Sequence, residues 1–387
     1  MARSSTPPGS DPGLALSWVE IGAAALTDNL AVFRRLAGPN RQLMVVVKAD
    51  AYGHGLEPVG RLAVTAGADW LAVFTITEAM ALRGAGITVP VLVLGPCPPG
   101  ALSWAATEQV RLTVASPAAV EPIAAAQPDG LKVHVKLETG TNRQGFGDDE
   151  DDQVHRLGDV PGVTIEGVYT HFADIEDTTD HGFAREQLAR FEGRVARLRA
   201  AGIAPERIHT SCSAATLLFP ETYFDMVRVG VSAYGLWPSK ETLVSAREAG
   251  RQPVALSPVM TWRTRVAQVK TVAAGETVGY GRTFKTTRPT RLAILPVGYA
   301  NGYDRRLSNT AHVLVRGQRA RLAGRVMMNM IAVDVSDIAG AEAGDEVVLL
   351  GCQGDETITA SELAAWIGTI HYEVVTRVEP GAPRRVV

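Results

Sequence analysis

The residues that could do chemistry begin with Lys48, which ends a short β-branched run and is followed four residues later by Tyr52. Residues 45–47 are typical of a buried strand, and Gly53 and Gly55 are typical of the turn that ends it. A lysine at the tip of a buried strand can be desolvated, which makes its amine neutral and nucleophilic. Taken alone, a lysine that extends from a strand end into water is the commoner interpretation.

Further polar residues follow later apolar runs of the same kind. In chain order they are Lys136, Glu138 and Arg143, then His171, then Ser211, Cys212 and Ser213, and finally Arg228 and Gly230. Serine hydroxyls and glycine backbone N–H groups suit a phosphate. A phosphorylated ligand together with a nucleophilic lysine indicates a Schiff-base cofactor such as pyridoxal 5′-phosphate (PLP).

Eight apolar, β-like runs with helical segments between them must position these residues. The runs cover residues 43–47, 70–74, 89–94, 110–114, 131–137, 164–170, 207–210 and 225–229. Helical periodicity is apparent between them, over 23–36, 77–84 and 183–201. Eight strand–helix units in about 240 residues predict an α/β fold, a (β/α)₈ TIM barrel, whose active site is built from the carboxyl ends of the strands.

The chain changes character after about residue 251. Strand-like segments separated by Gly and Pro cover 259–272, 291–297, 312–315, 331–335 and 346–350, and one helix is apparent near 360–368. We therefore predict a disordered Pro-, Ser- and Gly-rich tail over 1–13, the barrel over 14–251 and a smaller, mostly β domain over 252–387. Gln252-Pro253 would be the hinge.

Composition excludes several classes of function. A net charge of −3 over 387 residues gives no sign of nucleic-acid binding. No apolar run approaches membrane-spanning length, and residues 1–13 lack the apolar core of a signal peptide. The 3 cysteines are scattered, with no CxxC or Cys/His spacing for a metal, which favours a reducing cytoplasm and no metal site.

The chain resembles the alanine racemases, PLP enzymes of the barrel type (fold type III), in segments that run through nearly its whole length in the family's order. The segments are VKADAYGHG at 47–55, ETGTNRQGF at 138–146, YTHFA at 169–173, CSAAT at 212–216, VRVG at 227–230, VGYG at 278–281, PVGYANGY at 296–303 and TIHYEV at 369–374. The first of these is highly specific to the family.

The resemblance implies a racemase that interconverts L-alanine and D-alanine by a two-base mechanism. Lys48 would hold PLP as a Schiff base and act as one acid/base group. Tyr280, from the C-terminal domain of a partner subunit, would act on the opposite face of the substrate, so the protein would be a homodimer with a shared active site. A phenol is a poor base unless cations lie near it, and His171 next to Arg228 would supply them. In a bacterium, D-alanine would feed peptidoglycan synthesis.

The resemblance also implies the remaining site residues. Arg228 would face the pyridine nitrogen and, because arginine keeps its proton, would weaken the electron sink and suppress transamination. Lys136 matches a lysine that many relatives carry as a carbamate, whose negative charge steadies Arg143. The other roles are contact of Arg143 with the phenolic oxygen of PLP, substrate binding by Arg143, Met328 and Tyr299, and phosphate binding by Tyr52, Ser213, Tyr372 and the backbone of Gly230 and Val231.

Departures from the family pattern bear on the choice of substrate. Cys212 stands where relatives commonly have Asn, and Asn301 and Asn329 stand where they usually have Asp. A serine or broad-specificity racemase therefore stays open, since a hydrophobic pocket separates a methyl from a hydroxymethyl group by only about 1–3 kcal/mol. A non-catalytic PLP carrier on the same barrel is the alternative from another class, although such proteins usually lack the β domain.

Overall fold

The computed structural model describes residues 15–250 and 254–387, which form two compact units. The barrel unit contains Ala24–Ala51 and Leu56–Ser257. The β-rich unit contains Tyr52–Gly55, Pro258–Val387 and the described part of Met1–Ala23. The predicted tail over 1–13 and the predicted hinge at Gln252-Pro253 lie outside the described residues.

The barrel unit is built on eight parallel strands. They are Gln42–Val46, Trp70–Val73, Val91–Val93, Val110–Val114, Leu131–Lys136, Val163–Tyr169, Arg207–His209 and Met226–Val229. The first seven pair in chain order, and the eighth pairs with the first. Backbone bonds from Arg228 N to Ser211 O (3.1 Å) and from Asp225 N to Ile208 O (3.0 Å) link the seventh strand to the eighth. The TIM-barrel prediction is confirmed.

Most residues of the barrel strands are apolar because both faces of each strand are buried, one under helices and one inside the barrel. The helices are Ala23–Ala37, Leu56–Thr65, Ile76–Gly84, Leu102–Thr107, Val120–Ala126, Asp151–Gly158, Gly182–Ala200, Ser213–Leu218 and Lys240–Glu248. The helix Ile76–Gly84 begins with a capping box. Thr75 Oγ1 accepts a bond from Glu78 N, and the Glu78 carboxylate accepts one from Thr75 N.

The β-rich unit holds one large sheet, a three-stranded sheet and a two-stranded hairpin. Its strands are Ser17–Ile21, Met260–Arg265, Gln268–Val272, Thr277–Val278, Phe284–Lys285, Thr290–Leu295, His312–Val315, Gln318–Arg321, Ile331–Asp334, Glu346–Gln353, Glu356–Ile358 and Arg384–Val386. Its helices are Ala360–Ile367 and His371–Thr376, the second of which the sequence patterns do not predict. Short 3₁₀ turns in the chain occupy Pro99–Ala101, Pro117–Ala119, Pro220–Thr222, Val231–Tyr234, Tyr280–Arg282, Tyr299–Asn301 and Arg305–Leu307.

The strand Ser17–Ile21 differs from the sequence-based expectation, which groups residues 14–251 with the barrel. It pairs antiparallel with Met260–Arg265 and parallel with Arg384–Val386, and so lies in the large sheet of the β-rich unit. Its partners are far away in the chain, and no local pattern identifies them. The domain boundaries themselves stay a prediction. Within the described ranges, the structure contains no helix that is long and apolar enough to cross a membrane.

Candidate active site

The backbone adopts a left-handed conformation immediately after Lys48. Ala49, Asp50, Ala51 and Tyr52 have φ values of 54°, 54°, 53° and 54°, in the left-handed region. Each such residue costs about 1–2 kcal/mol, because its Cβ crowds the following carbonyl oxygen. Backbone strain of this size persists only where the surrounding structure holds it, and it is concentrated at functional sites.

Two carboxylates hold the left-handed turn within the barrel unit. Glu78, from the capping box, accepts a bond from Ala49 N at 2.7 Å. The carboxylate of Asp50 accepts a bond from Leu56 N at 2.7 Å, where the next helix begins. The turn that follows Lys48 is therefore fixed at both ends by charge-assisted bonds.

Gly53 completes this turn and packs against the helix His371–Thr376 within the β-rich unit. Its φ is +80°, and a Cβ there would lie 2.1 Å from Val375 O. We expect Gly53→Ala to destabilise the protein by at least about 3 kcal/mol, because both the left-handed backbone and the collision oppose it. Gly67→Ala is the matched control, since Gly67 has φ +91° with nothing within 4 Å of its Cβ position. Urea-unfolding midpoints of both variants measure the difference, and equal midpoints would contradict the packing argument.

Lys48 stands in an environment that favours its neutral amine. Burial, followed by the positive charge of Arg143, lowers the pKa of Lys48, while the carboxylates Glu78 and Glu176 oppose the shift. The neutral amine is the form that attacks a carbonyl carbon. The predicted role of Lys48 as a nucleophile is therefore consistent with its surroundings.

Lys136 ends the fifth barrel strand and is almost fully buried, with 5% of its surface exposed. Burial, followed by the charges of Arg143 and Arg228, lowers the pKa of Lys136 to about 8. With this pKa a fraction of the amine is neutral near physiological pH, and the neutral amine is the form that can add carbon dioxide. The environment of Lys136 therefore suits the predicted carbamate.

Arg228, in the eighth barrel strand, is held by bonds to four neighbours. Its guanidinium lies 2.7 Å from His209 Nδ1, donates to Thr170 O at 2.9 Å and to Thr210 O at 2.8 Å, and lies 3.4 Å from His171 Nδ1. Arginine has no acceptor atom, so every one of these bonds uses an arginine N–H. Arg228 is therefore a fixed, protonated donor in the barrel.

His171 follows the sixth barrel strand and lies in surroundings that disfavour its charged form. Burial, followed by the charges of Arg228 and Lys136, holds the pKa of His171 well below its ordinary value. These surroundings oppose a positive charge on His171, whose role as a cation stays a prediction. The cation beside it is Arg228, and His171 Nδ1 accepts from that cation.

The predicted phosphate-binding residues of the barrel unit lie together at the ends of the seventh and eighth strands. Ser213 begins the helix Ser213–Leu218, and its Oγ accepts a bond from Gly230 N at 3.0 Å. Val231 begins the turn Val231–Tyr234, and the Tyr234 hydroxyl donates to Val46 O at 2.9 Å in the first strand. Short polar side chains and backbone N–H groups thus lie together on the rim of the barrel, at the ends of these two strands.

Two further residues border this rim, Cys212 and Arg143, and of these Cys212 departs from the family pattern. Cys212 occupies the N-cap position of Ser213–Leu218 without a side-chain bond, and burial raises the pKa of its thiol to about 11, so the thiol stays protonated. Arg143 is exposed on a loop that Glu138 holds, because the Glu138 carboxylate accepts bonds from Gly140 N (2.6 Å) and Arg143 N (3.3 Å).

Within the β-rich unit, the predicted site residues form two pairs. The rings of Tyr52 and Tyr372 have centroids 6.2 Å apart. Tyr299 and Met328 are joined through backbone bonds, from Tyr299 N to Met327 O (3.0 Å) and from Ala300 N to Met328 O (2.9 Å). Each pair agrees with a shared role, in phosphate binding for the first pair and in substrate binding for the second.

Tyr280 is the most exposed large aromatic side chain among the described residues, at 72% of its surface. It stands on the turn between the strands Thr277–Val278 and Phe284–Lys285. Val278 and Phe284 anchor this hairpin in a small apolar cluster. Gly281, with φ +71°, has the Arg325 guanidinium 2.9 Å from its Cβ position. The anchored hairpin thus presents the Tyr280 ring to solvent.

Asn301 is one of the departures from the family, and its hydrogen-bond partner explains why an amide stands at this position. Its Nδ2 donates to Glu379 Oε2 at 2.7 Å, and its Oδ1 accepts from Gly298 N at 3.0 Å. An aspartate here would place two carboxylates in contact. The amide is thus matched to Glu379 and is not simply a lost acid.

We expect Asn301→Asp to lower stability at pH 7 by about 1.5–3 kcal/mol, the usual value of a hydrogen bond to a charged group. The folded variant favours a protonated carboxyl, so the loss should disappear as the pH falls below about 4. Urea midpoints across pH measure this, and the double variant with Glu379→Gln should recover the wild-type midpoint. A single variant as stable as wild type at pH 7 would contradict the pairing.

Three buried residues beside the site are not among the site residues that the sequence predicts: His209, His134 and Glu166. His209 accepts directly from Arg228. The alternation of Lys132, His134 and Lys136 in an otherwise apolar strand is the signal that could have identified His134, because alternate residues of a strand face the same side. No comparable signal marks Glu166.

Comparison with known proteins identifies relatives of this chain over both units. The family model for the alanine racemase N-terminal domain matches residues 21–238, and that for the C-terminal domain matches residues 259–386. The alanine racemase of Leptospira interrogans is 38% identical and covers 96% of this chain and 96% of its own; that of Desulforamulus reducens is 43% identical and covers 95% and 98%.

Solved structures of alanine racemases are similar in fold. The enzyme from Bacillus anthracis, with bound L-Ala-P, has a TM-score of 0.90 at 35% identity and covers 97% of this chain and 96% of its own. The enzyme from D-cycloserine-producing Streptomyces lavendulae has a TM-score of 0.86 at 36% identity and covers 96% and 97%. The chain belongs to the alanine racemase family.

Proposed function

We propose that this protein is a PLP-dependent alanine racemase that interconverts L-alanine and D-alanine. The observation that carries the proposal is the rim of the barrel unit, which combines Lys48, whose amine pKa is lowered, with the fixed cation Arg228 and the polar turn around Ser213 and Gly230. Full-length similarity to alanine racemases supports the same activity.

The residues of the rim fit PLP by the chemistry of their donors. Lys48 supplies a nucleophilic amine for the aldehyde, and Ser213 with the backbone of Gly230 and Val231 supplies small polar groups for the phosphate. The family resemblance adds Tyr52, Tyr372, His171 and Arg143 to the binding set. When bound, PLP supplies an electron sink that makes the Cα proton of the substrate removable.

Arg228 sets the kind of chemistry that the site favours. A donor that cannot lose its proton would hold the pyridine nitrogen without transferring a proton to it. The four bonds that hold the guanidinium support this role, because an arginine that is anchored in this way cannot easily swing away. The result is a modest electron sink, which suits proton exchange at Cα and disfavours transamination.

Inversion at Cα needs acid/base groups on both faces of the substrate. Lys48 would exchange the proton on one face, and Tyr280 of a partner subunit would exchange it on the other. The high exposure of Tyr280 on an anchored turn supports a role toward a second copy of the chain. We therefore propose a cytoplasmic homodimer whose active sites are shared, with Arg143, Tyr299 and Met328 binding the substrate.

Lys136 is proposed to carry a carbamate that stabilises Arg143. We expect a carbonyl ¹³C NMR signal when the protein is equilibrated with ¹³C-bicarbonate, and a weaker signal below pH 8, because burial and Arg143 lower the pKa of the free Lys136 amine to about 8 and a protonated amine does not add carbon dioxide. Lys136→Ala should abolish the signal, and Lys270→Ala, at an exposed lysine, should keep it. A signal that survives Lys136→Ala would assign the carbamate elsewhere.

A racemisation panel tests the proposed function. Purified protein with PLP is incubated with L-alanine, L-serine and larger L-amino acids, and D-products are followed by chiral chromatography. Fast turnover of alanine alone is the expected result. Comparable turnover of serine would mean that residues such as Met328 and Asn329 admit a larger side chain. Bound PLP without any turnover would favour the carrier alternative, against which the presence of both family domains already argues.

A further inference from the structure

A chain of buried polar groups descends through the barrel interior from Arg228. The Arg228 guanidinium lies 2.7 Å from His209 Nδ1. His209 Nε2 lies 2.8 Å from His134 Nδ1, and His134 Nε2 lies 3.4 Å from Glu166 Oε2. Both histidines are fully buried, and Glu166 is only 3% exposed. The chain joins the rim of the site to the opposite part of the barrel.

The direction of every bond in this chain follows from its first member. Arg228 can only donate, so His209 Nδ1 must accept and carry no proton. A neutral His209 then has its proton on Nε2 and donates it to His134 Nδ1. His134 in turn has its proton on Nε2 and donates it to the Glu166 carboxylate. One arrangement of protons therefore satisfies all three bonds.

The charges around the chain keep both histidines neutral and Glu166 ionised. Burial, followed by the charge of Arg228, holds the pKa of His209 well below its ordinary value, and burial lowers that of His134. Burial alone would raise the pKa of Glu166, but bonds from His134, Arg111 and Lys132 outweigh it and hold that pKa well below its ordinary value. Glu166 accepts from Arg111 at 2.8 and 3.1 Å and from Lys132 at 3.1 Å.

The pairing of the fifth and sixth barrel strands contains a β-bulge beside this chain of polar groups. In the pairing of the fifth and sixth strands, Val133 faces Ile165 and His134 faces Gly167, so Glu166 is the extra residue of a bulge. Bulges re-aim side chains and are frequent beside active sites. Gly167 leaves room for the imidazole, because a Cβ there would lie 2.6 Å from His134 Nδ1. Bulge and glycine together place the carboxylate and the ring.

We propose that Glu166, acting through His134 and His209, is a positioning residue that fixes Arg228 for its contact with the pyridine nitrogen of the cofactor. Without the carboxylate, the His134 Nε2 proton has no acceptor, and the opposite tautomer would turn a proton of His209 toward Arg228. Two donors would then face each other, and the guanidinium would shift. The inference rests on the proposed function in one respect, namely that the group which Arg228 contacts is the pyridine nitrogen of PLP.

Histidine NMR of the unaltered holoenzyme tests the proton arrangement directly. In protein labelled with ¹⁵N-histidine, we expect His134 and His209 to be neutral Nε2–H tautomers at neutral pH, and we assign their signals by their loss in His134→Gln and His209→Gln. A proton on Nδ1 of either residue, or a doubly protonated ring, would overturn the inference. This result does not depend on whether the protein racemises alanine, so it separates the two proposals.

Two variants test the effect on Arg228, each in a different way. Gly167→Ala displaces the His134 ring and leaves every ionisable group in place. Arg111→Met with Glu166→Leu removes the buried ion pair as a unit, which avoids an unpaired buried charge. The matched control is Gly193→Ala, since nothing lies within 4 Å of its Cβ position.

The two readouts are the amount of pyruvate formed per racemisation event and the absorption spectrum of bound PLP. A purely structural role of Glu166 would change neither. Pyruvate arises when the amino group of alanine stays on the cofactor, so one pyruvate and one pyridoxamine phosphate form together. A displaced Arg228 lets water protonate the ring nitrogen and strengthens the electron sink. We expect both variants to raise pyruvate formed per racemisation event by about tenfold, the equivalent of one net hydrogen bond, and to alter the absorption spectrum of bound PLP. Folded variants with wild-type spectrum and partition would overturn the inference.

Discussion

Replacing Lys48 by alanine should abolish racemisation and the covalent attachment of PLP. A general acid/base group contributes about 10²–10⁴-fold to a rate, and Lys48 is proposed to act both as that group and as the attachment point, so the loss should exceed about 10⁴-fold. Chiral chromatography measures the rate, and the absorption spectrum with borohydride trapping measures the covalent bond. The environment that lowers the pKa of the Lys48 amine is the physical reason for this expectation.

The control for this variant is Lys270→Ala, at an exposed lysine of the β-rich unit. It should keep full activity and a normal spectrum. The backbone bonds that hold the left-handed turn do not use the Lys48 side chain, so Lys48→Ala without PLP should fold with the urea midpoint of the wild-type protein without PLP. Full racemase activity in a folded Lys48→Ala would overturn the proposed role, whatever the state of PLP.

The barrel could be predicted from the sequence because its strands are apolar on both faces. A strand such as Trp70–Val73, buried at every position, leaves a continuous apolar run that stands out between helical segments. The polar residues that follow such runs then fall on one rim by the geometry of parallel strands. Lys48, Lys136, His171 and Arg228 could be grouped on this basis alone.

Other features could not be predicted, because they depend on contacts between distant segments. The strand Ser17–Ile21 pairs with Met260–Arg265 and Arg384–Val386, both far from it in the chain. The bulge at Glu166 shifts the alternation that a sequence pattern relies on. The lowered pKa of His171 follows from burial and from the charge of Arg228, and a residue type cannot reveal that environment. In each case tertiary context decides what the local sequence leaves open.

Replacing Tyr280 by phenylalanine should lower racemisation by about 10²–10⁴-fold in both directions, because one of the two acid/base groups is lost while the ring and its packing remain. Val278 and Phe284, which anchor the hairpin, are untouched, so the fold should be unaffected. Lys285→Ala, at an exposed residue of the same hairpin, is the matched control and should retain activity. Racemisation within about twofold of wild type in Tyr280→Phe would contradict the two-base mechanism.

Proton exchange with D₂O gives this variant a sharper test than its rate. If Lys48 and Tyr280 act on opposite faces of Cα, the variant can still remove and return the proton on the face of Lys48. One enantiomer of alanine should therefore exchange its Cα proton for deuterium without inversion, while the other enantiomer exchanges slowly. A single-base mechanism predicts something different, because one group reaching both faces would exchange both enantiomers alike. Mass spectrometry of each recovered enantiomer distinguishes the two, and symmetric exchange would assign the chemistry of both faces to Lys48.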